Sequence, residues 1–241
     1  MTTLDLDTLV LDANSHDPGS DRMCVMEAVA MLAGEQWSDH PQCASPAIGA
    51  FLRSWNDSLP DDDRQQLKQY IPRLLNSRGT HDQETERSWL ATDWLVRVQA
   101  PAWLRLAGLT EQADLLASMQ PVNPATCPAI LPALKAVRTD AAAAWAAAWD
   151  AAGDAARDAA VAAARDAAVA AARDAALAAT GDAARDAALA AARDAARDAA
   201  WAAALAATGA AARDAALAPT KAELQADAHR LVDRMLAVTD N

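Results

Sequence analysis

Ile48, Phe51, Leu52 and Trp55 fall at the i, i+3, i+4 and i+7 spacing that lines one face of an α-helix, with Ser45-Pro46 as its N-cap and first-turn proline. The same period returns through the first 120 residues. It predicts a helix from about Arg22 to Ala33, capped by Ser20 or Asp21, with Cys24 in its first turn and Gly34 at its end. Another begins near Asp61, carries Leu67, Tyr70 and Ile71, is interrupted at Pro72, and ends at Arg78-Gly79. Thr80 and Gln83 form a capping box for a helix through about Gln99, whose Trp89, Leu90, Trp94, Leu95 and Val98 face a core. Pro101 starts a short helix stopped by Gly108, and Thr110 caps one more through Met119. Ahead of these, Leu4, Leu6 and Val10 interleave with Asp5 and Asp7 as a short strand or a first helical turn, followed by a loop from Asn14 to Gly19.

From Thr139 to Leu217 a period of four takes over. Every fourth residue from Trp145 to Leu217 is Trp, Gly, Arg, Val or Leu, and nearly all the rest are Ala or Asp. Gly153, Gly181 and Gly209 are 28 residues apart, so the larger unit is seven tetrads. Alanine and Asp-Arg pairs three apart, such as Asp154 with Arg157, favour a helix. Four residues advance roughly 400°, so the variable position drifts by about 40° per tetrad and spirals round the helix, which disfavours a two-stranded coiled coil. Thr180-Gly181-Asp182 reads as a C-cap followed by a new N-cap. That gives antiparallel helices of about 26 residues, about 40 Å each; the alternative is one rod of about 120 Å. Slippage of a twelve-nucleotide DNA repeat would leave the same unbroken register.

Pro121, Pro124, Pro128 and Pro132 mark a linker before the repeat. After Pro219, Thr220 and Glu223 cap an amphipathic helix in which Leu224, Ala228, Leu231, Val232 and Met235 recur at helical spacing. This last helix needs a surface to cover, either the front domain or another chain.

Composition changes the picture in three places. The 53% hydrophobic content is inflated by Ala, and eight Trp against one Tyr (Tyr70) and one Phe (Phe51) make Trp the chief large anchor. The net charge of -12 excludes general nucleic-acid or anionic-membrane binding, which rest on clustered Lys and Arg. It sits mostly in residues 1–120, with 18 acidic and 9 basic side chains, whereas Asp140 to Leu217 holds 11 Asp and 7 Arg. Three cysteines without a secretory leader point to the cytoplasm, and no stretch approaches the twenty apolar residues of a membrane span.

The one dense cluster of chemically capable residues is Cys24, Glu27, Asp39, His40 and Cys43. His40-x-x-Cys43 has a spacing zinc can use, and Cys24 with Asp39 would complete a tetrahedral site. Alternatively Cys24, acidified at a helix N-terminus and paired with His40, would be a nucleophile. The plainer reading makes Cys24 and Cys43 small buried side chains and His40 a polar loop residue before Pro41. No phosphate loop, nucleophile elbow or His-Glu-x-x-His helix is present. Trp89 and Trp94 suit core packing better than a ligand pocket.

Cys24-Val-Met-Glu-Ala-Val-Ala, Trp37-Ser-Asp-His-Pro-Gln-Cys43 and Ser45-Pro-Ala-Ile-Gly-Ala-Phe-Leu-Arg-Ser-Trp-Asn-Asp57 resemble a family of uncharacterised actinobacterial and actinophage proteins, some with Ala-rich tails. The resemblance covers roughly residues 20–107. It implies a high-GC bacterial or phage setting and brings no activity, cofactor or site residue with it.

Together these readings predict an all-α protein: a Trp-anchored helical domain over residues 1–120, a Pro-rich linker over 121–131, an Ala-rich helical repeat over 132–218, and a closing helix over 219–241. The expected function is non-enzymatic assembly, as a homo-oligomer or with a protein partner, through Trp145, Trp149, Trp201, Leu224, Leu231 and Met235. The competing expectation is a zinc-binding or thiol enzyme centred on Cys24, His40 and Cys43. A minor one is binding of ice or another ordered surface by the Ala-rich helices.

Overall fold

The computed structural model describes residues 4–20, 22–144 and 210–239, with the side chains of 210–216 left out of the description. Among these residues the protein is all-helical. Eight helices, α1 to α8, are introduced below in chain order, with two 3₁₀ turns and one π turn between them.

The first segment is neither strand nor helix. Leu9 and Leu11 point into the core while Val10 points out, and a single parallel bridge joins Leu11 to Met23. The side-chain amide of Gln65 does the work of a neighbouring strand: its Oε1 accepts from Leu11 N–H and its Nε2 donates to Leu11 C=O, both at 2.9 Å. Buried main-chain groups are thereby satisfied without a sheet.

Helix α1, Val25–Ala33, starts later than the pattern predicts, because the N-cap is Cys24 rather than Ser20 or Asp21. The Cys24 sulfur accepts from Glu27 N–H while the Glu27 carboxylate accepts from Cys24 N–H at 2.7 Å, a capping box built on a thiol. Gly34, at φ 72°, ends the helix in the left-handed region. Helix α2, Pro46–Ser58, has the predicted Ser45 cap, and buries Ile48, Phe51, Leu52 and Trp55. Its last carbonyls are held by buried Arg64, which donates from Nε to Asn56 C=O and from Nη2 to Leu59 C=O. Arg64 lies on the short helix α3, Asp61–Arg64, which tightens into 3₁₀ turns at Gln65–Tyr70 and Pro72–Leu74.

Helix α4, His81–Trp94, has the predicted Thr80–Gln83 capping box. It does not stop before Pro101: a π turn, Leu95–Gln99, carries it directly into α5, Ala100–Leu106. Proline has no N–H and its ring clashes with the carbonyl four residues back, here Arg97; one wider turn moves that carbonyl away and keeps the run continuous. Helix α6, Thr110–Ala117, follows a turn at Gly108, with Leu109 rather than Thr110 at the N-cap position.

The Pro-rich stretch is helical from residue 127, and α7 spans residues 127–144. Pro128 sits in its first turn, where an N–H would have no intrahelical partner anyway. Cys127, Ile130, Leu134, Val137 and Ala141 are buried at three- and four-residue steps, so α7 packs as a core helix. Helix α8, Ala210–Leu236, runs through Pro219 instead of starting after it. Its Leu217, Leu224, Ala228, Leu231, Val232 and Met235 join the same apolar cluster as α1, α2 and α4. The surface it covers is therefore the chain's own front half.

Candidate functional site

Glu27 is the centre of the front-half cluster. Its carboxylate is buried, 1% exposed, and a buried carboxylate needs donors. Three come to it: Cys24 N–H, His16 N–H at 2.6 Å, and the His16 ring through Nδ1 at 3.0 Å. Trp37 Nε1 donates to His16 C=O at 2.8 Å, so the loop before α1 is fastened to it by both faces of one residue. Asp12, 3.9 Å from His16 Nε2, is held below the ordinary carboxylate range chiefly by its bond from Arg22. The histidine that meets the Cys24–Glu27 pair is thus His16, not His40.

Cys24 does not become an acidic thiol. Burial pushes it up to about 12, and the Glu27 charge beside it works in the same direction. At neutral pH it is a protonated, hydrogen-bonding cap. Cys43, half-buried, is also raised by burial and by Glu35, whose carboxylate accepts from Cys43 N–H at 2.7 Å. His40 is exposed on the loop before α2, with Nδ1 2.6 Å from Asp39 Oδ1. Cys24 is thus engaged with Glu27, Cys43 with Glu35, and His40 with its neighbour Asp39, and among the described residues no group of three or more His, Cys, Asp or Glu is arranged to hold a metal ion. The zinc geometry expected from His40-x-x-Cys43 is not formed.

The second concentration of polar contacts is the seam under α8. Tyr70 OH lies 2.7 Å from His229 Nδ1, and His229 Nε2 lies 3.2 Å from Gln66 Oε1. Because Gln66 Oε1 can only accept, Nε2 carries the proton in the neutral ring and Tyr70 donates to Nδ1. Trp55 packs edge-on against the same ring at 4.8 Å. Burial lowers the His229 pKa, opposed by Asp233, which itself pairs with Arg73 at 2.7 Å. At the end of the seam Arg87, 4% exposed, donates to Met235 C=O and Val238 C=O of the α8 terminus, to Ser77 C=O, and to Glu84. Leu224, Leu231 and Met235, expected to face a partner, are spent inside this contact. Trp145, Trp149 and Trp201 lie outside the described residues.

His16, His229 and Arg87 carry these contacts and have no sequence signal of their own. His16 is 11 residues from Glu27, His229 is 159 from Tyr70, and Arg87 is 148 from Met235, separations that no local period encodes. Trp89 and Trp94 are buried, with Trp94 edge-to-face on Phe51 at 5.7 Å. Among the described residues no helix is long and apolar enough to cross a membrane.

Compared with known proteins, the chain matches no family model, no curated protein and no solved structure. The functional reading is therefore carried by the residues themselves.

Proposed function

We propose that the protein is a non-enzymatic assembly element that self-associates through its Ala-rich stretch. One observation supports this most: α7, which leads into residues 145–209, and α8, which follows them, are both built into a single hydrophobic core. The front half and the last helix share one core, and residues 145–209 join them in sequence. A long insert of good helix formers anchored at both ends is suited to presenting a surface, and its small side chains suit close approach between helices. The C-terminal helix is no longer part of the associating surface, since its apolar face is occupied. Against the alternative of a thiol enzyme weigh the burial of Cys24 and its place beside the Glu27 carboxylate rather than His40.

The test is to replace residues 145–209 by a short Gly-Ser linker and compare masses by light scattering. The full chain should run as a multiple of 25.2 kDa and the shortened chain as a folded monomer. A full chain that is monomeric at all concentrations, or a shortened one that keeps the same oligomer, would overturn the proposal.

A further inference from the structure

Between α2 and the loop before it lies a cleft of about 620 Å³, within the size range of small-molecule sites. Its apolar floor is Met26 from α1, with Pro46, Gly49 and Ala50 from successive turns of α2. Gly49 matters to its shape. A Cβ there would stand 3.0 Å from the Met26 methyl, so the missing side chain makes room for Met26, while Arg53 Nη1, at 3.4 Å, would be in ordinary contact. Two arginines line this cleft, Arg53 and Arg78.

Both are aimed by main-chain oxygens of one loop. Arg53 Nη1 donates to Asp39 C=O at 3.0 Å, and Arg78 Nε donates to Gln42 C=O three residues on. Arg78 Nη2 also reaches Gln42 Oε1 at 3.5 Å. Among the described residues, neither arginine has a carboxylate within ion-pair distance, unlike Arg64, Arg87, Arg97 and Arg105. A guanidinium carries five N–H donors, so each keeps several beyond those the loop uses. The two aspartates in the cleft each have partners for one oxygen: Asp39 Oδ1 lies 2.6 Å from His40 Nδ1, and Asp57 Oδ1 accepts from Asn14 N–H and Asn56 Nδ2. Both arginines keep spare donors on a cleft that Asp39 and Asp57 also line.

We propose that this cleft binds a small organic oxyanion, a carboxylate or phosphate ester with an apolar body. Arg53 and Arg78 would take the oxyanion, a geometry their planar forks suit, and the Met26–Gly49–Ala50 floor would take the body. Lysine in place of either arginine would keep the charge and lose the fork.

The probes are phenyl phosphate, benzoate and inorganic phosphate, titrated into the full chain at constant ionic strength while the arginine Nε–H signals are followed by NMR. Either aromatic probe should saturate, shift the Arg53 and Arg78 signals, and bind about tenfold or more tighter than inorganic phosphate, because only it covers the apolar floor. A tighter phenyl phosphate assigns a phosphate ester, a tighter benzoate a carboxylate. Arg53→Gln should weaken binding about tenfold or more, as should Arg78→Gln, whose exposed position makes a folding defect a poor explanation for the loss. Failure of both aromatic probes to saturate, equal binding of inorganic phosphate, or unchanged affinity in both variants would overturn the proposal.

Discussion

Arg87→Met removes a side chain whose hydrogen bonds tie the end of α8 to α4 and to the turn before α4. The arginine is buried, and four acceptors depend on it: Met235 C=O at 3.0 Å, Ser77 C=O at 2.7 Å, Glu84 Oε1 at 2.6 Å and Val238 C=O at 3.4 Å. Breaking a buried ion pair by removing one partner costs about 3–5 kcal/mol, because the remaining charge is left uncompensated. Glu84 is not abandoned, since it also accepts from Ser45 Oγ, Ala47 N–H and Gly79 N–H, and methionine refills most of the volume. The lower end applies, about 3 kcal/mol. For a chain of this size that lowers the melting temperature by about 6–12 °C. Urea unfolding followed by Trp fluorescence measures it, since Trp55 and Trp94 lie in the affected core. A loss below about 1 kcal/mol would place Arg87 with surface ion pairs and refute the clamp.

Three further outcomes are expected. The folded-state pKa of His229 is lowered by burial, so the unfolded chain binds more protons: stability is full above the ordinary histidine range, falls as pH drops through about 6.5, and levels off below the folded value. Urea midpoints at pH 7.5 and 5.5 should show the fall, and His229→Gln should reduce it. The Cys24 thiol, raised to about 12, should react with a disulfide reagent at pH 8 only as fast as the chain unfolds, and Cys24→Ser should retain the cap while Cys24→Ala costs about 1 kcal/mol in a thermal melt. Gly34→Ala forces a side chain into φ 72° with open space around it, so the cost is backbone strain alone, about 1 kcal/mol in the same assay.

What the sequence reveals here is mostly local. The Ser45 cap, the Thr80–Gln83 box and the Ile48–Phe51–Trp55 face were legible because their partners lie within one or two turns. The starts and stops governed by proline were less so. Pro101 and Pro219 lie inside continuous helices, since a π turn at 95–99 absorbs the first and tertiary packing on both sides of the second outweighs its local cost. Pro128 reads as a linker residue until Cys127, Ile130 and Leu134 are seen to share a buried face. Misreading the site had a single cause. Cys24, His40 and Cys43 are close in sequence, but Glu27 recruits His16 instead, and nothing in the spacing of residues 14–19 announces that the loop folds back. The destination of α8 was equally closed to sequence, because an amphipathic face states that it needs cover without stating from whom.

The packing of α8 on the front half makes the chain one body. Amide hydrogen exchange of the full chain, comparing residues 222–236 with residues 46–58 at two protein concentrations, tests it most directly. Both segments should be protected to the same degree, exchange through the same global opening, and be unaffected by dilution. Fast exchange confined to 222–236 would show that the last helix is not part of the body, and protection that falls on dilution would show that another copy supplies its surface.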